Sequence, residues 1–148
     1  MTNIKIKSQY IKDLSFEIPH APAIFNEDIS KSEIKLNIDI NANKISENNY
    51  EVTLSINCFA ELGNDKKKTF ICDLIYAGIF ELIDFEKQAV EEALLIYCPN
   101  ILFPYLRRVV TTTTIDAGLP PLMLEPIDFF TLYQNKKNSQ GEENKKAN

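Results

Sequence analysis

Residues 34–41 read IKLNIDIN. Ile34, Leu36, Ile38 and Ile40 fall at every second position, with Lys35, Asn37, Asp39 and Asn41 between them. Strand side chains alternate between two faces, so this strict period of two predicts a half-buried strand. The pattern recurs at 50–60, YEVTLSINCFA, where Tyr50, Val52, Leu54, Ile56 and Cys58 share a face. Asn48-Asn49 between the two runs signals a turn. Gly63-Asn64-Asp65 marks a second turn, and a third strand follows in TFICDLIYAGIF, 69–80. A weaker strand is expected in SQYIKDLSFE, 8–17.

Parity compares the faces. In 69–76, Phe70, Cys72, Leu74 and Tyr76 share one side, with Ile71, Asp73 and Ile75 on the other. In 8–17, Tyr10, Leu14 and Phe16 are expected together, opposite Ile11, Asp13, Ser15 and Glu17. A one-sided sheet should not turn Ile71 and Ile75 to water. They are either covered or part of a binding surface. The link 18–33, IPHAPAIFNEDISKSE, is too long for an ordinary connection. Its apolar residues predict that it packs along the sheet as one wall of a groove, for which Phe25, Ile29, Ile71 and Ile75 are the candidate lining.

After Phe80 the period becomes helical. A helix is expected from Phe85-Glu86 to about Tyr97, then a new or kinked one from Pro99, distorted near Pro104. Within YCPNILFPYLRR, 97–108, and just beyond it, Ile101, Leu102, Phe103, Tyr105, Leu106, Val109 and Val110 cover nearly every direction around the axis. A helix apolar all round must be buried all round. One sheet covers a single side, so Ile101, Tyr105 and Val109 are candidates for contact with a second subunit. Pro120, Pro121 and Pro126 enforce an extended segment, and a final helix near 129–136 is expected with Asp128 as its cap.

These elements form one α+β domain, 1–134, with a polar tail, 135–148, expected to be disordered. The tail carries +2 of a total charge of −5, leaving −7 on the body. An acidic body disfavours nucleic acid and suits a basic protein partner. No run approaches the 20 apolar residues of a membrane span, and no signal-like block opens the chain, so a cytoplasmic protein without membrane insertion is expected. Cys58, Cys72 and Cys98 have no metal-ligand spacing and His20 is the sole histidine, which disfavours zinc. The four glycines form no phosphate loop.

Three stretches, YIKDLSFE with Pro19 and Pro22 (10–22), YCPNILFPYLRR (97–108) and GLPPLMLEPIDF (118–129), together resemble SecB, the bacterial protein-export chaperone family. YAGIF (76–80) lies between them in the family's order. The resemblance implies a four-stranded antiparallel sheet, Greek-key-like because of the long 18–33 crossover, with two helices on one side. It implies assembly as a dimer of dimers with the helices between sheets. It implies no enzyme activity and no cofactor, but capture of unfolded precursor proteins and their delivery to the SecA ATPase. Asp13, Glu17 and Asp73 match the family's SecA-binding positions. Cys72, Leu74 and Tyr76 match positions that affect its oligomeric state. Alternatives are a SecB-like chaperone dedicated to one client such as an antitoxin, an apolar small-molecule binder, or an enzyme pairing His20 with a cysteine.

Overall fold

A computed structural model describes residues 2–147, with side chains described through residue 141. Four long strands, β1 (Asn3–Glu17), β2 (Glu33–Ser46), β3 (Asn49–Leu62) and β4 (Lys67–Ile83), form one antiparallel sheet in the order β1-β4-β3-β2. Strands β2 to β4 are a meander, and the 18–32 connection carries the chain from β1, beside β4, to the opposite edge. That is the Greek-key arrangement expected. Asn48, Gly63 and Lys66 adopt positive φ at the hairpins, which Asn and Gly favour.

The sheet has an inner face and an outer face. Val52, Leu54, Ile56, Cys58 and Ala60 of β3 meet Cys72, Leu74, Tyr76 and Phe80 of β4 on the inner side, all buried. β1 departs from the expected parity. Bulges between Ile6 and Ser8 and between Ile11 and Asp13 each insert an extra residue. Ile11 therefore joins Leu14 and Phe16 on the inner face, opposite Tyr76, while Tyr10 turns outward with Asp13 and Glu17. A strict count of two cannot see an inserted residue.

The helices cover part of the inner face. α1 (Lys87–Glu92) leads through a widened π-helical turn, Ala93–Tyr97, into α2 (Cys98–Asp116). The distortion expected near Pro104 lies here instead, just ahead of Pro99. Pro99 has no N–H and its ring crowds the carbonyl of Leu95. The wider turn relieves this, with Cys98 N–H donating to the Ala93 carbonyl, five residues back. Asn100 Nδ2 donates to the Ile96 carbonyl at 2.9 Å. At the other end, Gly118 at φ 80° closes α2: its N–H bonds the Ile115 carbonyl and Leu119 N–H bonds that of Thr114.

The extended segment that follows is tied back to α2. Thr111 Oγ1 donates to the Leu122 carbonyl at 2.6 Å, and Leu122 N–H donates to Thr114 Oγ1 at 3.1 Å. α3 (Phe129–Ala147) then begins with Asp128 as its cap, accepting the Thr131 N–H at 3.1 Å. The helix does not stop near 136. The tail expected to be disordered continues it through Ala147, a polar stretch without proline and rich in good helix formers. Asn148 lies outside the described residues.

Candidate binding surfaces

The sheet register fixes the outer face row by row. Asn37, Asn57, Asp73 and Ser15 line up across β2, β3, β4 and β1. The adjoining rows are Asp39, Ser55, Ile75, Asp13 and Lys35, Phe59, Ile71, Glu17. Asp13, Glu17 and Asp73 therefore share one exposed face. Asn57 Nδ2 holds the Asp73 carboxylate at 2.6 Å. Half-buried Ile71 and Ile75 stand between the acids, so the surface is apolar within and anionic around. Lys68 lies 3.4 Å over the Phe59 ring at one corner. At the far end Tyr10 Oη donates to Glu51, which also accepts Lys12 Nζ at 2.8 Å. Those two bonds hold the Glu51 carboxyl below its ordinary range, whereas burial, then the bond to Glu51, pushes the Tyr10 phenol up to about 12.

A groove opens on the inner side. Ile29 and Ile34 flank it, Phe70 and Thr69 form its floor, and Pro121 and Leu122 form the far wall around a cavity of about 190 Å³. The 18–32 connection is one wall, as expected: Ile24 anchors it in the core, and the Ser32 and Thr69 hydroxyls meet at 2.7 Å. Exposed Leu36 continues the apolar stripe of β2. The four residues expected to line one groove do not do so. Ile29 borders it and Phe25 is exposed on the same connection, but Ile71 and Ile75 lie on the outer face. Their odd positions on β4 made that split legible in the sequence. Leu122 was missed because the segment 119–128 carries no periodic signal of its own, and Ile34 because alternation gives its face but not which part of that face stays uncovered.

A third apolar surface lies where the inner face of β1 passes beyond the helices. Ile6, Ile11 and Leu14 are exposed there, and the Tyr105 ring of α2 stacks on Tyr76 at 6.3 Å between centroids. On α2, Leu102, Leu106 and Val110 face the sheet fully buried, while Tyr105 and Ile115, and Tyr97 at the end of the π-helical turn, are open. Ile101 and Val109 are half-buried at the border. Cys72 and Leu74, expected as interface residues, have no surface left to present: they are core residues of their own chain.

His20 is exposed, and all three cysteines are buried and free. Burial pushes the thiols up, to about 12 for Cys58 and Cys98 and about 11 for Cys72. They stay protonated at neutral pH and are poor nucleophiles. Among the described residues no helix is long and apolar enough to cross a membrane.

A Greek-key sheet half-covered by helices, with apolar grooves left open and acids on its back, defines an α+β binding protein. The family model for the preprotein translocase subunit SecB matches residues 1–140. The protein-export protein SecB of Rhodopseudomonas palustris strain BisB5 is 38% identical over 140 residues, covering 95% of this chain and 87% of that one. That of Paramagnetospirillum magneticum is 44% identical over 135 residues, covering 90% and 85%. This chain belongs to the SecB family. Among solved structures, the Mycobacterium tuberculosis SecB-like chaperone in complex with a ChAD peptide from the HigA1 antitoxin has a TM-score of 0.68 at 17% identity, covering 84% of this chain and 90% of that one. At that identity the likeness bears on the fold, which it shares.

Proposed function

We propose that this chaperone for protein export holds extended segments of unfolded precursors in the groove between Ile29, Ile34 and Leu122, and presents them to SecA through its outer face. The observation that carries the reading is an apolar groove with a β2 stripe beside it, Ile34 and Leu36, left exposed in the folded chain. An unfolded client exposes apolar side chains that such a surface removes from water. At about 25 cal/mol per Å², 1,000 Å² of apolar contact contributes roughly 25 kcal/mol gross. Ordering and association costs offset much of it, which suits a client that must later be released. Apolar burial is non-directional, so binding is tolerant of client sequence.

The outer face supports a second role. Asp13, Glu17 and Asp73 around Ile71 and Ile75 offer charge and apolar area to a basic partner, and the family resemblance assigns these positions to SecA. The open strip of Ile6, Ile11, Tyr105 and Ile115 supports assembly into a dimer of dimers in the cytoplasm, with α2 between sheets. No energy source is needed in the chaperone itself: release follows when the motor takes over the client.

The test is a titration of a permanently unfolded protein onto wild type and onto Ile34→Asp with Leu36→Asp. Both side chains are exposed, so folding survives. The reading expects client affinity to fall at least about tenfold, the cost of placing charge in an apolar contact. Unchanged affinity would overturn the groove assignment.

A further inference from the structure

Where β2, α1 and α3 meet, they leave a cavity of about 470 Å³. Packed interiors hold no gap of that size, and small-molecule sites do. Its walls are apolar. Ile40 and Leu94 are buried, Ala42 and Val90 are half-buried, and Tyr133 is 7% exposed. Each follows the period of its own element. Ile40 and Ala42 end the inner stripe of β2, Val90 and Leu94 stand four apart, and Tyr133 follows buried Phe129 by one turn of α3. The cavity shares no residue with the groove of Ile29, Ile34 and Leu122.

The rim is cationic, although the chain carries −5 overall. Lys87 stands on the α1 side and Lys136 and Lys137 on the α3 side, with Glu91 as the acid among them. On the strands lysines are neutralised, as Lys7 by Glu81 at 3.0 Å and Lys12 by Glu51 at 2.8 Å. At the rim they are not. Lys136 has a loose contact with Asp39 at 3.9 Å, both side chains more than half exposed, which contributes little. Among the described residues Lys87 pairs with no carboxylate, and Lys137 has only the Tyr133 ring, at 5.7 Å. Tyr133 adds a neutral donor. Its hydroxyl bonds to none of the described residues and is not sealed from solvent. A phenol packed this deeply ordinarily finds a partner.

We propose that this cavity is a binding site for a single-chain fatty carboxylate. The acyl chain lies on Ile40, Ala42, Val90 and Leu94, and the carboxylate is held by the Tyr133 hydroxyl and the lysine rim. The walls select an apolar chain, because each CH2 taken from water raises affinity about fourfold. The rim selects the anion. A carboxylate accepts the phenol O–H and the ammonium donors together, and such charge-assisted bonds are about twice as strong as neutral ones. An apolar ligand without charge leaves those donors unused. The inference goes beyond the chaperone reading and does not depend on it.

Calorimetric titration of laurate onto the full chain, below its micellar concentration, tests it. The expected result is saturable binding of one laurate per chain. Octanoate should bind at least about tenfold more weakly for its shorter chain, and dodecanol about tenfold more weakly for want of charge. Lys87→Gln combined with Lys137→Gln should bring laurate down to the level of dodecanol and leave dodecanol unchanged. Ala42→Trp fills the cavity and should abolish the binding of both. Should that variant fail to fold, the lysine pair still decides, since both side chains are exposed. Ile34→Asp with Leu36→Asp alters the client groove alone and should leave laurate affinity as in wild type. Absence of saturable laurate binding would overturn the proposal. So would equal affinity for laurate and dodecanol, or laurate binding lost in the groove variant. Vesicles of phosphatidylglycerol should not carry the chain down in sedimentation; vesicle binding without laurate binding would also contradict the site.

Discussion

The two faces of β4 differ more than its alternating sequence suggests. On the inner side, Cys72, Leu74 and Phe80 are sealed under α2, and Gly78 lets the helix approach. A Cβ at Gly78 would stand 2.7 Å from the Phe80 ring and 3.0 Å from Leu102 Cδ2. On the outer side, Ile71, Asp73 and Ile75 alternate between apolar and charged, the isoleucines half-buried and the acid exposed. One strand thus specifies the fold with one set of side chains and carries the proposed partner surface with the other. Substitutions should separate accordingly: inner ones change stability, outer ones change association.

The largest effect is expected from Leu102→Ala, which removes a fully buried side chain at the helix–sheet contact. It should cost about 2–5 kcal/mol in urea unfolding. A loss below 1 kcal/mol would mean the inner face is not the sealed core described. Gly78→Ala comes next, at about 1–3 kcal/mol, because Phe80 and Leu102 must shift to admit a methyl group. Asp73→Asn belongs to the other face. Its unfolding midpoint should stay within about 0.5 kcal/mol of wild type. SecA binding should weaken, and its dependence on salt should flatten. Loss of stability with SecA binding intact would reverse the comparison.

The smallest effect concerns the bonds at the far end of the outer face. The folded Tyr10 phenol, at about 12, lies above its ordinary value of about 10. Its contribution is therefore complete below about pH 10 and is lost as pH rises toward about 12. The Glu51 shift has the opposite sense. Its depressed folded value adds stability above the unfolded value of about 4.3, lost as pH falls through the lower folded one. Tyr10→Phe should cost about 1 kcal/mol at neutral pH and reduce the alkaline slope, to which the buried thiols also contribute, read from melts across pH 9–12.

Much of this was legible in the residues. Strict alternation in β2, β3 and β4 gave strand identity and face, and Asn48 and Gly63 gave the turns. The acids at 13, 17 and 73 fall together because each stands at an odd position beyond the last bulge of β1 or on β4. What failed has physical causes. Two bulges in β1 shifted its parity and carried Tyr10 to the outer face. Pro99, rather than Pro104, widened the helix, because the bulge accommodates the carbonyl ahead of the first proline. The groove was half-legible: the wall at 18–32 announced itself by length and apolar content. Its opposite wall is held by Thr111 and Thr114 through backbone bonds that no periodicity encodes.

The central claim is that apolar surface left open by one chain serves assembly and client capture. Light scattering coupled to size exclusion, with and without a permanently unfolded precursor, tests it most directly. The account predicts a particle of four chains whose mass rises by a bound client. A stable single chain that passes the unfolded protein unbound would contradict it.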